Sequence, residues 1–136
     1  MPKPTHDDAM LMVELAHLYA AQGASTAAGW IHSDAFIPDH QQFYAQYPPG
    51  SPEAVKLDNV LGWYETIGTL YKHGLINEDL VFDWLAVNVT WERVKGIVKG
   101  QQTAVDPALY ENFEAMAAAR GRWAGKRPKR RRSARR

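Results

Sequence analysis

Residues 51–83 read SPEAVKLDNVLGWYETIGTLYKHGLINEDLVFD, and this stretch decides the fold class. Ser51 is a side-chain acceptor suited to a helix N-cap. Pro52 suits the first helical position, where a missing N–H costs nothing, and Glu53 complements the positive end of the helix dipole. Leu57, Val60, Leu61, Tyr64, Ile67, Gly68 and Tyr71 then recur at i, i+3, i+4, i+7, the pattern of one helical face turned to a core. Gly68 on that face leaves room for a neighbouring helix to come close. Lys72 and His73 suit the negative C-terminus, and Gly74 is free to adopt left-handed backbone. Asn77 is an N-cap, with Glu78 and Asp79 in the first turn of the next helix. A long helix over residues 52–73 therefore turns into a second over 78–99. A connection this short predicts close, roughly antiparallel neighbours forming a central hairpin.

Downstream, Val87 to Thr90 is rich in β-branched residues that locally favour a strand. Trp84, Trp91, Val94, Ile97 and Val98 nevertheless hold the helical period, with Gly100 as the expected terminator. Asp106-Pro107 repeats the cap-and-proline start, followed by Leu109, Tyr110, Phe113, Met116 and Ala117 on one face. Upstream, Asp7 or Asp8 is the expected cap of a first helix carrying Met10, Leu11, Val13, Leu15, Leu18 and Tyr19, with Gly23 at its end. Ser25 or Thr26 is the expected cap of a second helix bearing Trp30 and Ile31, which stops before Pro38. His40 to Tyr47 predicts a further short helix. The fold class is thus all-α, a compact bundle of about five helices. Its domain is expected over residues 6–123. Residues 124–136 contain only Gly, Lys, Arg, Pro, Ser and Ala; with nothing to bury they are expected to form a disordered basic tail.

A chain of 136 residues with 46% hydrophobic content predicts one domain with a real core, without staples. There is no cysteine, so disulfides, thiolate metal sites and thiol catalysis are excluded. The polar N-terminus lacks an apolar segment of signal-peptide type, and no stretch reaches the roughly 18 apolar residues of a membrane span. A cytoplasmic location without membrane contact is the resulting expectation. The net charge of +1 conceals a division. All fifteen acidic residues lie between Asp7 and Glu114, and six basic ones lie before Arg120, which leaves the body at −9. The remaining ten Lys and Arg lie from Arg120 to Arg136 with no acid among them.

That cationic segment is the principal candidate site. Lys126, Arg127, Lys129, Arg130, Arg131, Arg132, Arg135 and Arg136 can neutralise phosphates and release counterions, the basis of sequence-independent, salt-sensitive nucleic-acid binding. Arg120, Arg122 and Trp123 extend the patch onto the last helix, with the indole as a stacking platform. Three alternatives stay open: nucleic-acid contact, contact with the acidic body or an acidic protein, and mere solubilisation. Self-association through a −9 surface and a +10 tail belongs to the second. Other constellations read structurally. The groups His6, Asp7, Asp8, His17 and His32, Asp34, Asp39, His40 lack metal-ligand spacing. Glu78, Asp79 and Asp83 sit where a helix dipole favours acids. Trp63, Tyr64, Trp84, Trp91 and Tyr110 sit at core spacing. Gly96 and Gly100 flank Lys99 without the rest of a phosphate-binding loop. No nucleotide-binding or hydrolase motif is present, so no cofactor, metal or catalytic residue is expected.

The stretches LDNVLGWYETIGTL (57–70), KHGLINEDLVFD (72–83), Trp91 and YENFEAMAAAR (110–120) resemble an uncharacterised family of small helical proteins, the domain of unknown function 4760. The likeness covers about half the chain closely and residues 8–47 loosely. It implies an α-helical fold and a bacterial source, and offers no catalytic residues to carry over. The basic tail is not part of that pattern. Together these features point to a non-enzymatic accessory or interaction protein.

Overall fold

The computed structural model describes residues 2–128. Among them the chain forms seven helices and no strand: α1 (His6–Ala21), α2 (Ala24–Ile31), α3 (His40–Gln46), α4 (Pro52–Lys72), α5 (Glu78–Trp84), α6 (Val87–Ala104) and α7 (Glu111–Gly125). The all-α class is as expected; the number of helices is larger, for reasons that lie in long-range contacts. The last helix continues through Gly125, two residues past the expected domain end. The disorder expected of the tail concerns mostly residues 129–136, which lie outside the described residues.

Local signals around α4 hold in detail. The Ser51 hydroxyl accepts from Ala54 N with Pro52 opening the helix. Gly74 takes φ +70° after the helix end, and Asn77 caps α5 by accepting from Leu80 N at 3.0 Å. At the N-terminus the cap is Thr5 rather than Asp7 or Asp8: its hydroxyl accepts from Asp8 N while the Asp8 carboxylate takes the Thr5 N–H. That reciprocal pair satisfies two orphan donors where a lone aspartate satisfies one. α2 starts at Ala24 rather than after Ser25 or Thr26, because left-handed Gly23 both ends α1 and caps α2.

The expected single helix over 78–99 is two. Leu85 is extended (φ −119°, ψ 124°) and divides α5 from α6. The break leaves the Phe82 carbonyl without a helical partner. Arg120 of α7 supplies one, its Nε donating to Phe82 O (3.3 Å) and its Nη1 to the Asn88 amide oxygen (3.1 Å). Nor does Gly100 end α6, which runs on to Ala104. A Cβ there would meet the His40 ring at 2.2 Å, and one at Gly96 would meet the Pro38 carbonyl oxygen at 2.7 Å. The two glycines form a bare strip on which the α3 end of the chain rests. Asp106-Pro107 likewise starts no helix. Asp106 closes a turn by accepting from Ala108 N (2.8 Å), Tyr110 turns left-handed at φ 54°, and α7 begins at Glu111.

The core centres on α4. Its main neighbour is α7 rather than the following helix, so the expected hairpin is not the centre of the bundle. Gly68 explains the preference: an ideal Cβ there falls 2.6 Å from the Asn112 carbonyl, so only glycine admits α7 this close. Tyr64 stacks on Phe113 with ring centres 4.7 Å apart at 11°. Leu57, Val60, Leu61 and Ile67 of α4 are fully buried with Ile31, Phe43, Phe82, Ile97 and Met116. Trp63 buries its ring and donates its indole N–H to the Leu15 carbonyl at 2.9 Å, which ties α1 to α4.

Candidate functional site

The described part of the cationic segment leaves the body at the end of α7, beside the acidic face of α5. Trp123 donates its indole N–H to the Asp79 carboxylate at 2.9 Å and sets its ring edge against Phe82, 5.7 Å away. The Arg120 guanidinium lies 5.4 Å from the indole centre and that of Arg127 lies 4.6 Å from it. Arg127 also approaches Asp83 at 3.6 Å, both side chains being largely exposed. Pro4, Leu80, Asp79, Asp83, Trp123 and Arg127 line an open cleft of about 460 Å3. Asp79 and Asp83, one turn apart on α5, thus face the C-terminal segment, Asp79 as a hydrogen-bond acceptor and Asp83 as an ion-pair partner. Glu78 turns elsewhere, accepting from the Tyr71 hydroxyl at 2.9 Å. Desolvation and this acidic neighbour push the Tyr71 phenol up to about 12, with Arg122 acting the other way.

The candidate residues fall into three groups. Arg120 and Trp123 are half-buried and already bonded within the molecule. Arg122, Lys126 and Arg127 are exposed. Lys129, Arg130, Arg131, Arg132, Arg135 and Arg136 lie outside the described residues. The indole that offered a stacking platform is therefore already flanked by two cations of its own chain. Among the described residues no group of three or more His, Asp or Glu is arranged to hold a metal ion. No described helix is long and apolar enough to cross a membrane. Trp63, Tyr64 and Trp91 are core residues, while Trp84 and Tyr110 are half-buried against it.

Two of the segments with family resemblance, 57–70 and 110–120, meet at one joint. Glu65 of α4 accepts from Asn112 N and Phe113 N, at 2.8 and 2.9 Å, and so caps the N-terminus of α7 from another helix. Tyr110 offers no side-chain cap of its own. One turn along, Asn112 donates to the Thr69 hydroxyl at 3.3 Å, across from bare Gly68. Glu114 accepts from Lys99 and from Gln102, which also bonds the Leu109 carbonyl. The family model described as Domain of unknown function (DUF4760) matches residues 11–123. The chain belongs to that family. No curated protein and no solved structure matches it.

The extent of the match is informative. The 4760 domain takes in α7 through Trp123 and stops short of Lys126. Arg120 and Trp123, whose bonds fasten α5 to α7, fall inside it; the dense cationic run falls outside it. Glu65, Thr69, Asn112 and Phe113, from two of the shared motifs, cap and close the α4–α7 joint. Sequence reading missed Glu65 as a cap, Arg120 as the partner of an interrupted helix, and the cleft around Asp58 described below. Each depends on residues far apart in the chain, and no local spacing signals it.

Proposed function

We propose that this member of the 4760 family is a non-enzymatic cytoplasmic accessory protein whose basic C-terminal segment makes sequence-independent, salt-sensitive contact with nucleic acid. The observation that carries this reading is the polarity of the sequence: ten Lys and Arg without an acid from Arg120 onward, behind a body of −9. Six of those cations lie from Lys129 to Arg136. If each neutralises one phosphate of duplex DNA, affinity falls by roughly 10³ between about 50 and 200 mM salt. What holds the base of the segment to the body is weak by comparison. An exposed ion pair such as Arg127–Asp83 contributes about 0–1 kcal/mol, and an exposed cation–π contact about 0.5–1 kcal/mol. A polyanion can displace both. The acidic body repels phosphate, so binding concentrates in the tail.

The test is fluorescence anisotropy with a generic labelled duplex at both salt concentrations. It compares the full chain with one ending at Pro128, which keeps every bond described above. Salt-sensitive binding by the full chain and little by the shortened one is the expected result. Equal binding by the two, or a flat salt response, refutes the reading.

The contacts of Arg127 and Trp123 with Asp83 and Asp79 favour a second reading, in which the segment engages an acidic protein surface, including that of another copy. Sedimentation at low and high salt without nucleic acid separates the two. A dimer that dissolves as salt rises supports the second reading.

A further inference from the structure

A second cleft, of about 400 Å3, lies at the opposite end of α7, where α3, the start of α4 and the end of α6 converge. His40, Tyr44, Pro49, Asp58, Gln101 and Val105 line it. Its wall is fixed by the fold. The His40 ring sits flush on Gly100 and meets Tyr44 edge-on, ring centres 5.3 Å apart. Gln101 donates its amide N–H to the Tyr44 hydroxyl, which leaves its own carbonyl oxygen buried without a hydrogen-bond partner. Buried polar atoms are seldom left unpaired. Asp58 is the single acid in the lining, which contains no Lys or Arg. Among the described residues it forms no ion pair. Partial desolvation at the cleft rim pushes its carboxyl above the usual range, with no cation pulling it back. Burial, then the Asp58 charge, raises the Tyr44 phenol as well. Burial followed by Asp58, Tyr44 and Glu65 brings that of nearby Tyr110 to about 12. The apolar side of the cleft includes Val105, 76% exposed, the most solvent-open large aliphatic residue among those described.

We propose that this cleft binds a small organic cation, an ammonium carried on an apolar ring or chain. The carboxylate of Asp58 supplies the acceptor. The faces of Tyr44 and His40 suit a cation beside an aromatic ring, and Pro49 and Val105 receive the apolar part. A site with one carboxylate and no Lys or Arg in its lining attracts a cation and rejects an anion, while its aromatic and aliphatic walls reject a bare metal ion. None of the residues that line this cleft belongs to the basic segment, so the proposal stands independently of the function proposed above.

The experiment titrates the full ¹⁵N-labelled chain with benzylammonium, benzyl alcohol and benzoate, followed by amide and Gln side-chain shifts and by calorimetry. Benzylammonium is expected to saturate, with shifts centred on Tyr44, Asp58, Gln101 and Val105, and to bind at least tenfold more tightly than benzyl alcohol. Benzoate is expected not to bind. Asp58 is on the exposed rim, so Asp58→Asn should leave the spectrum folded, lower benzylammonium affinity at least tenfold and leave benzyl alcohol within twofold. Val105→Ser should weaken both. Equal affinity for amine and alcohol, absence of saturation, shifts located elsewhere, or an Asp58→Asn chain that binds the amine unchanged would each overturn the proposal.

Discussion

Alanine introduced at Gly68 and at Gly62 should move stability in opposite directions, although both glycines lie on α4 one and a half turns apart. In a helix, Gly→Ala ordinarily stabilises by about 0.8–1 kcal/mol through backbone entropy. At Gly62 a Cβ meets nothing within 4 Å, so that gain is expected nearly whole. At Gly68 the new atom falls 2.6 Å from the carbonyl carbon and oxygen of Asn112 and 2.9 Å from Phe113 N. Carbon atoms in contact prefer about 3.5–4.0 Å, so the backbone of α7 must retreat by roughly 1 Å. Overpacking of this kind costs about 1–3 kcal/mol. The retreat also stretches both bonds from Glu65 and the Tyr64–Phe113 stack, with loss of a cap worth about 1 kcal/mol more. After subtracting the entropy gain, Gly68→Ala should destabilise by roughly 1–3 kcal/mol. Urea unfolding followed by circular dichroism reads both variants. A Gly68→Ala protein as stable as its parent, or a Gly62→Ala protein that loses stability, would refute the close-approach account.

Other perturbations address neighbouring features. Glu65→Ala should destabilise by about 1–2 kcal/mol because two backbone donors lose their acceptor, and Glu65→Gln should cost less than half of that by keeping the oxygen; thermal melts that rank the two equally would count against the cap. Arg120→Ala should cost about 1–2 kcal/mol by leaving the Phe82 carbonyl unsatisfied, whereas Arg122→Ala, on an exposed side chain, should stay within about 0.5 kcal/mol in the same melts. The phenols of Tyr71 and Tyr110 ionise near 12 in the folded chain, against 10.0 when unfolded. The unfolded chain thus releases these protons first, and stability should fall progressively from about pH 10 to 12. Ultraviolet titration of the phenolates should show the Tyr71→Phe, Tyr110→Phe double variant losing amplitude near pH 12 while the other buried phenols, Tyr19, Tyr44 and Tyr64, still titrate above the ordinary value.

Signals confined to a few neighbouring residues were legible in the sequence. Ser51, Gly74 and Asn77 do what their types predict, and Gly68 on an apolar face announced a close neighbour without saying which. What the sequence hid has partners far away. The division of α5 from α6 rests on Arg120, 38 residues from the carbonyl it satisfies. Gly100 reads as a stop until His40 is seen lying on it. The start of α7 moved because its cap is Glu65 rather than Asp106. The charge division was plain from composition. That Arg120 and Trp123 turn back to the body was not, since an amphipathic helix end looks alike whether its cations face solvent or a neighbouring acid. The cleft at Asp58 joins three helices and had no linear signature.

The dependence of α4 on α7 has a consequence for how the protein is made. A ribosome delivers the chain from the N-terminus, so Tyr64, Ile67 and Gly68 emerge well before Phe113, whose ring completes their side of the interior. About 45 residues separate them, which at 5–20 residues per second is roughly 2–9 s of translation with an apolar flank uncovered. Nascent chains halted before α7 should therefore attract chaperones, and the emergence of α7 becomes the event that permits closure.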